Sequence, residues 1–405
     1  MNATAGMQSS REVWIWTMEK LRAQASVIRD HFPHIAQHGR YDRCSPEWWT
    51  AGFWPGLLWL VQRYDVSDTM HYDGGESLRS LAYQQVKPNA LLRDWACSCE
   101  QQLERCLYHP EQVDHNLGMI WTLSGVANYE QTGDREARRR SLLAANLLAG
   151  RFNVRGGYLR AWNFESARMD TRGVTIIESL MNLPLLYWAS LQTGDPRYRA
   201  LAMAHADTIA REMVREDGSV CHVVEFDHTT GQRQREHAGE AYHVGSSWAR
   251  GTAWALYGFT LSYAYTAKTR YLELAQRIAD YFLEQLDEQV VPCWDWRAPS
   301  EQRHLIDSSA TAIAASSLLE LSNYVIKSER RRFQRAALIG VKGLYEQYST
   351  RHTDDEGLIT DAYVADSEQR HLHVPVIYGD YFFTEALVKL RGGQGLMTPG
   401  LQARP

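Results

Sequence analysis

The chain has 405 residues, 44% of them hydrophobic, enough to bury a large core and to confine disorder to the ends. A formal net charge of −5 argues against nucleic acid as the main partner, and no apolar run reaches the about 18 residues of a membrane span. The six cysteines (Cys44, Cys97, Cys99, Cys106, Cys221 and Cys293) are scattered and lack metal-ligand spacing, and Met1–Arg11 is polar; together these features read as a cytoplasmic chain with reduced thiols.

In chain order, Arg11–Asp30 is charged and amphipathic, and Gly52–Leu60 (GFWPGLLWL) is apolar nearly all round. That alternation recurs. Leu92–Leu107 precedes Asn116–Ser124 (NLGMIWTLS), and Arg135–Phe152 precedes Glu178–Trp188 (ESLMNLPLLYW). Arg197–Arg215 precedes Ser247–Phe259 (SWARGTAWALYGF), Arg270–Asp287 precedes Ser308–Leu319 (SSATAIAASSLL), and Arg330–Tyr348 precedes Gly379–Leu390 (GDYFFTEALVKL). The apolar segments start at 52, 116, 178, 247, 308 and 379, so the gaps are 64, 62, 69, 61 and 71 residues. Each gap holds one further helix, with Thr132-Gly133-Asp134 and Thr193-Gly194-Asp195-Pro196 as turn signals.

Helices that are apolar all round are buried, and helices with one apolar face lie outside them. Six of each predict an all-α fold, an (α/α)6 barrel, as one domain over residues 1–391 with a flexible tail at 392–405. An irregular solenoid is the alternative, but its repeats run to about 35–45 residues. Gly218–His228 (GSVCHVVEFDH) alternates and is β-branched, so it predicts a short strand or hairpin in a loop over one barrel end.

Polar and aromatic residues open the inner helices: Trp48, Trp49 and Trp54 at the first, His115 and Asn116 at the second, Glu178 at the third. Trp248 and Arg250 open the fourth, Asp307 and Ser308 the fifth, Tyr378 and Asp380 the sixth. In an up-and-down barrel these N-termini meet at one mouth, whose helix dipoles favour an anionic ligand. The 14 tryptophans and 21 tyrosines suit a sugar, whose C–H face packs on aromatic rings. Asp307, Ser308 and Asn116 also fit as plain N-caps, His222 as a structural histidine and Arg250 as a partner to some acid. Glu178 sits in an apolar run, where a carboxylate is costly unless paired or functional.

The runs Trp49–Leu60, Glu178–Ser190, Asp217–Asp227, Ser247–Trp254, Asp307–Ser322 and Ile377–Leu387 resemble the unsaturated glucuronyl hydrolases of glycoside hydrolase family 88, in order, over about residues 12–391. The resemblance implies the same barrel and the hydration of a C4=C5 double bond on a terminal uronic acid, as polysaccharide lyases leave it, without metal or organic cofactor. The partner it implies is an acidic oligosaccharide. It carries substrate-binding roles to His222, to Trp248 and Arg250 as a uronate-holding pair, to Trp49 or Trp54 as a stacking ring, and to His115, with Tyr378 beside them.

Three positions depart from the family pattern. Asn116 and Glu178 stand where the family has aspartates, and Glu240 stands where it has a glutamine. Asn116 cannot ionise. With Glu178, Asn116 and Glu240 as the catalytic set, three readings follow. The first is hydration with Glu178 as the acid. The second is hydrolysis of saturated glucuronides by a Glu178/Glu240 carboxylate pair. The third is a catalytically impaired sugar-binding variant carrying Asn116.

Overall fold

The computed structural model describes residues 3–64, 88–164, 166–365 and 371–399. Six outer helices are α1 (Ala3–Ile28), α3 (Pro88–Cys106), α6 (Arg135–Ala149), α8 (Pro196–Met213), α10 (Thr269–Leu286) and α12 (Lys327–Tyr348). The inner ring is α2 (Phe53–Tyr64), α4 (Leu117–Trp121) running through a π-helical turn into α5 (Ala127–Thr132), a 3-10 turn at Ile177–Asn182 running into α7 (Leu183–Thr193), α9 (Ala249–Thr266), α11 (Ser308–Leu321) and α13 (Ile377–Leu390). This is an (α/α)6 barrel.

Burial follows the patterning that separates the two layers. Every residue of α11 from Ser308 to Leu321 is buried. Outer α10 buries Tyr271, Ala275, Ile278, Ala279, Tyr281 and Phe282, a single stripe at helical spacing. The turn signals act as read: Gly133 and Gly194 end α5 and α7 in the left-handed region, at φ 73° and 71°. Asp134 and Asp195 then cap the next helices by accepting from Glu136 N and Arg197 N.

Close approaches bring neighbouring inner helices together near the mouth. A Cβ on Gly118, in α4, would come 2.3 Å from Asn182 O and 2.5 Å from Asn182 Cα at the third inner helix. Asn182 Oδ1 also accepts the Met119 N–H at 2.7 Å. Gly118→Ala must push these helices apart, so we expect it to lose about 1–3 kcal/mol, read as a lower urea midpoint; an unchanged midpoint would show that the contact yields.

Two short hairpins, β1 (Ala36–Gln37) with β2 (Arg40–Tyr41) and β3 (Phe152–Asn153) with β4 (Tyr158–Leu159), precede a three-stranded antiparallel sheet; the predicted strand is its centre, β6 (Val223–Phe226), between β5 (Val174–Ile176) and β7 (Arg233–His237). β5 escaped the sequence reading, because Val174–Ile177 runs on into the apolar third helix. It fixes the start of that helix: Ile176 pairs with Val223, and Ile177 N–H donates to His222 O at 3.0 Å. A further hairpin pairs β8 (Ala362–Ala365) with β9 (His371–Val374), shortly before α13.

In the far half of the barrel a buried polar network joins three inner helices. Glu385 on α13 accepts from Tyr257 of α9, from Ser316 of α11 and from Tyr381 of its own helix, at 2.7, 2.5 and 2.9 Å. Lys389 lies 3.4 Å from Glu385 and 3.7 Å from Glu320. Burying charges is tolerable here because each is paired and hydrogen-bonded. The tail needs a correction. Residues 392–399 are held rather than loose: Tyr64 OH donates to Gln394 O at 2.9 Å, and Leu396 and Met397 are buried. Residues 400–405 lie outside the described residues.

Candidate active site

The sheet and the third inner helix set two side chains face to face. Glu178 stands in the first turn after β5, and His222 directly precedes β6. Glu178 Oε1 lies 3.3 Å from His222 Nε2, while its Oε2 is buried and meets no donor among the described residues. His222 Nδ1 accepts the Glu240 backbone N–H at 2.7 Å, so the proton of the neutral ring belongs on Nε2, facing Glu178. Burial works to lower the His222 pKa, but Glu178 by charge and hydrogen bond, and Glu240 by charge, outweigh it and raise it. A second proton on Nδ1 would oppose the Glu240 N–H.

Behind this pair the 3-10 turn is pinned from the outer layer. Ser179 Oγ contacts His205 Nε2 at 2.7 Å, and His205 Nδ1 accepts from Leu159 N at 2.9 Å. Burial pushes His205 down to about 3, so the ring stays neutral and holds one tautomer.

Arg250, in the first turn of α9, is clamped. Nη1 donates to Asp307 Oδ2 at 2.5 Å and to Tyr363 O at 2.9 Å, and Nη2 donates to Glu240 Oε2 at 2.6 Å. Its guanidinium lies 4.8 Å from the Trp248 ring and 5.4 Å from the Tyr378 ring. Asp307 is a cap as well, accepting from Ser309 N at 3.1 Å, so both readings of it hold. Arg250 is thus matched by two carboxylates before any ligand arrives. Glu240 is the replaceable one, because its side chain is 48% exposed whereas Asp307 is fully buried.

Trp49 is half-buried, with its ring 5.1 Å from Tyr378 and 5.8 Å from His34. His34 is a mouth residue that no sequence signal singled out; burial and the Arg250 charge push it down to about 4. Asn116 is 6% exposed at the start of α4 and does not cap its own helix.

The remaining candidates are placed elsewhere. Trp54 is 1% exposed and donates to Arg29 O at 2.7 Å, so it is packed into the wall, and of the two rings Trp49 is the more exposed. His115 is fully buried; its backbone N–H donates to Ala161 O at 3.1 Å, and neither ring nitrogen has a partner among the described residues. Trp248 and Tyr378 are nearly covered by His222 and Arg250 and by Trp49 and Arg250, and act as backing for those groups. Asp380 faces the wall, accepting from Tyr41 OH, Leu358 N and Ile359 N; burial pushes it up to about 7.

Among the described residues one cluster has metal-ligand atom types close together: His34, Asp42 and Cys44, within 4.8 Å of one another. Asp42 Oδ1 is already taken by the His34 and Ile35 N–H groups, and burial and Asp42 push the Cys44 thiol up to about 12. The trio forms a hydrogen-bonded corner, with the Cys44 thiol donating to Asp42 Oδ2 at 3.7 Å.

The chain is 36% identical over 377 residues to an unsaturated glucuronyl hydrolase of Bacillus sp. (strain GL1), covering 90% of this chain and 92% of that one. It is 30% identical over 377 residues to an unsaturated chondroitin disaccharide hydrolase of Streptococcus pneumoniae (strain ATCC BAA-255 / R6), covering 92% and 89%. The crystal structure of the unsaturated glucuronyl hydrolase from Bacillus sp. GL1 superposes with a TM-score of 0.85 at 32% identity, over 96% of this chain and 99% of that one. The family model of Glycosyl Hydrolase Family 88 matches residues 37–396, and the chain belongs to that family.

Proposed function

We propose that this glycoside hydrolase removes a terminal 4,5-unsaturated uronic acid from acidic oligosaccharides by hydrating the double bond. One observation carries the reading: Glu178, a mostly buried carboxyl in the first turn of the third inner helix, meets His222 through one oxygen and keeps the other without a donor among the described residues. Glu178 delivers a proton to C4. The positive charge then rests on C5 and the ring oxygen, and water adds at C5 as its proton passes to the carboxylate. The resulting hemiketal opens at its bond from C5 to the ring oxygen, giving a C5 ketone and leaving C1 as a hemiacetal. That hemiacetal breaks down to an aldehyde and releases the neighbouring sugar, so the other product is an open-chain keto acid. His222, anchored by the Glu240 N–H, holds Glu178 in place, and Trp49 offers the ring face to the sugar.

The carboxylate-pair reading is disfavoured, because the Glu240 carboxylate is bound to Arg250 rather than free to activate water. The third reading, an impaired binding protein, leaves the cost of burying Glu178 without a purpose. A cytoplasmic location is supported by six free cysteines, and no helix among the described residues is long and apolar enough to cross a membrane.

The test follows the absorbance of the double bond in an unsaturated uronyl disaccharide, beside sugar release from saturated glucuronides. Loss on the first substrate alone is expected; release from the second alone would overturn the proposal. Glu240→Gln sharpens it. Freed of a competing charge, Arg250 should hold the uronate better, lowering KM several-fold, about 1 kcal/mol, with kcat retained. A collapse of kcat would instead make Glu240 a catalytic base.

A further inference from the structure

The site's departure at position 116 comes with a second carboxyl that no reading above uses. Asp114 lies two residues earlier, and both of its oxygens are spent on one neighbour. Oδ1 accepts the Asn116 backbone N–H at 2.8 Å, and Oδ2 accepts Asn116 Nδ2 at 3.1 Å. Burial raises the Asp114 pKa, against these two bonds and the charge of Arg151.

An amide has distinct ends. With Nδ2 committed to Asp114, Oδ1 of Asn116 must point away from it. Asn116 is not spent on its own helix end either. An aspartate in its place would set two carboxylates about 3 Å apart in a buried setting, where both cannot ionise. The residue at 114 therefore selects an amide at 116.

We propose that Asp114 is a positioning residue that fixes the Asn116 amide with Oδ1 turned to the mouth, so that Asn116 serves as a neutral hydrogen-bond acceptor for a hydroxyl of the uronic ring. The identity of that hydroxyl donor rests on the function proposed above; the coupling of the two side chains does not. On this view Asn116 keeps an acceptor oxygen at the mouth, and the carboxylate beside it is that of Asp114.

The experiment is an exchange of the two side chains. Asp114→Asn and Asn116→Asp, each alone, should lower kcat/KM on the unsaturated disaccharide by about 10- to 100-fold, the scale of one hydrogen bond to a charged partner. The exchanged chain carrying both changes keeps one amide and one carboxylate and both hydrogen bonds, and should recover most of that loss. Asn116→Asp should also gain an extra fall in activity as pH rises, where the shared proton is lost; the exchanged chain should not. Equal or better turnover by Asn116→Asp alone, with an unchanged pH profile, would overturn the proposal.

If the unaltered chain turns over no unsaturated disaccharide, it is the functional reading that fails. The pair is then judged by thermal unfolding. A carboxyl whose pKa is raised by folding loses stability as pH rises, so Tm of Asn116→Asp should drop from low to neutral pH relative to the exchanged chain. Parallel Tm curves for the two would overturn the coupling.

Discussion

Glu178→Gln should stop turnover while leaving the barrel folded and its affinity for the unsaturated sugar largely intact. Glutamine has nearly the shape of glutamate, and its Oε1 can still accept from His222 Nε2, 3.3 Å away in the unaltered chain. What it lacks is an acidic proton. General acid catalysis contributes about 10²–10⁴ in rate, so kcat should fall by that factor with KM little changed. Double-bond absorbance gives kcat, and calorimetric titration with the same disaccharide gives binding. A rate within about twofold of the unaltered chain would remove Glu178 from the chemistry. A matching loss of binding would make it a recognition residue instead. His205→Leu offers a contrast, since it frees the turn behind Glu178 without touching the carboxyl.

Arg250→Met should have the largest effect on stability. Methionine approximates the aliphatic stem but removes the cation that faces fully buried Asp307. Breaking a buried pair from one side leaves an uncompensated charge and costs about 3–5 kcal/mol. The hydrogen bond to Tyr363 O and the stacking between Trp248 and Tyr378 go with it. Urea unfolding should show the loss, and Arg250→Lys should fall between, since it keeps the charge without the fork. Glu240→Gln should be close to neutral for stability, because its side chain is half-exposed. If Arg250→Met and Glu240→Gln destabilise equally, the Asp307 pair is not what anchors α9 to α11.

The layers were legible because each inner helix is apolar around its whole circumference and each outer one along a stripe. The mouth was legible because polar residues in such helices have few places to go but their ends. Other features depend on contacts between distant residues. Arg250 and Asp307 are 57 residues apart, and Asp307 alone looked like a cap. His34 is a lone histidine whose neighbours, Trp49 and Tyr378, come from opposite ends of the chain. Trp49 and Trp54 are close in sequence and equivalent there, but Trp54 is in α2 and donates to Arg29 O at the end of α1, whereas Trp49 lies in the turn before the helix, against Tyr378. β5 was hidden because three β-branched residues before a helix carry no alternation to read. Asp114 stood in plain sight beside Asn116, but an amide's orientation is a matter of geometry, not of sequence.

The network around Glu385 and Lys389 has a kinetic meaning as well. With Tyr257, Ser316 and Tyr381 bonded to Glu385 and buried, side chains fill the far half between α9, α11 and α13. On the function proposed above, a sugar entering at the mouth would meet that filled half, so a chain terminus rather than a threaded polymer is the expected substrate. Departing product and arriving sugar would then compete for one doorway.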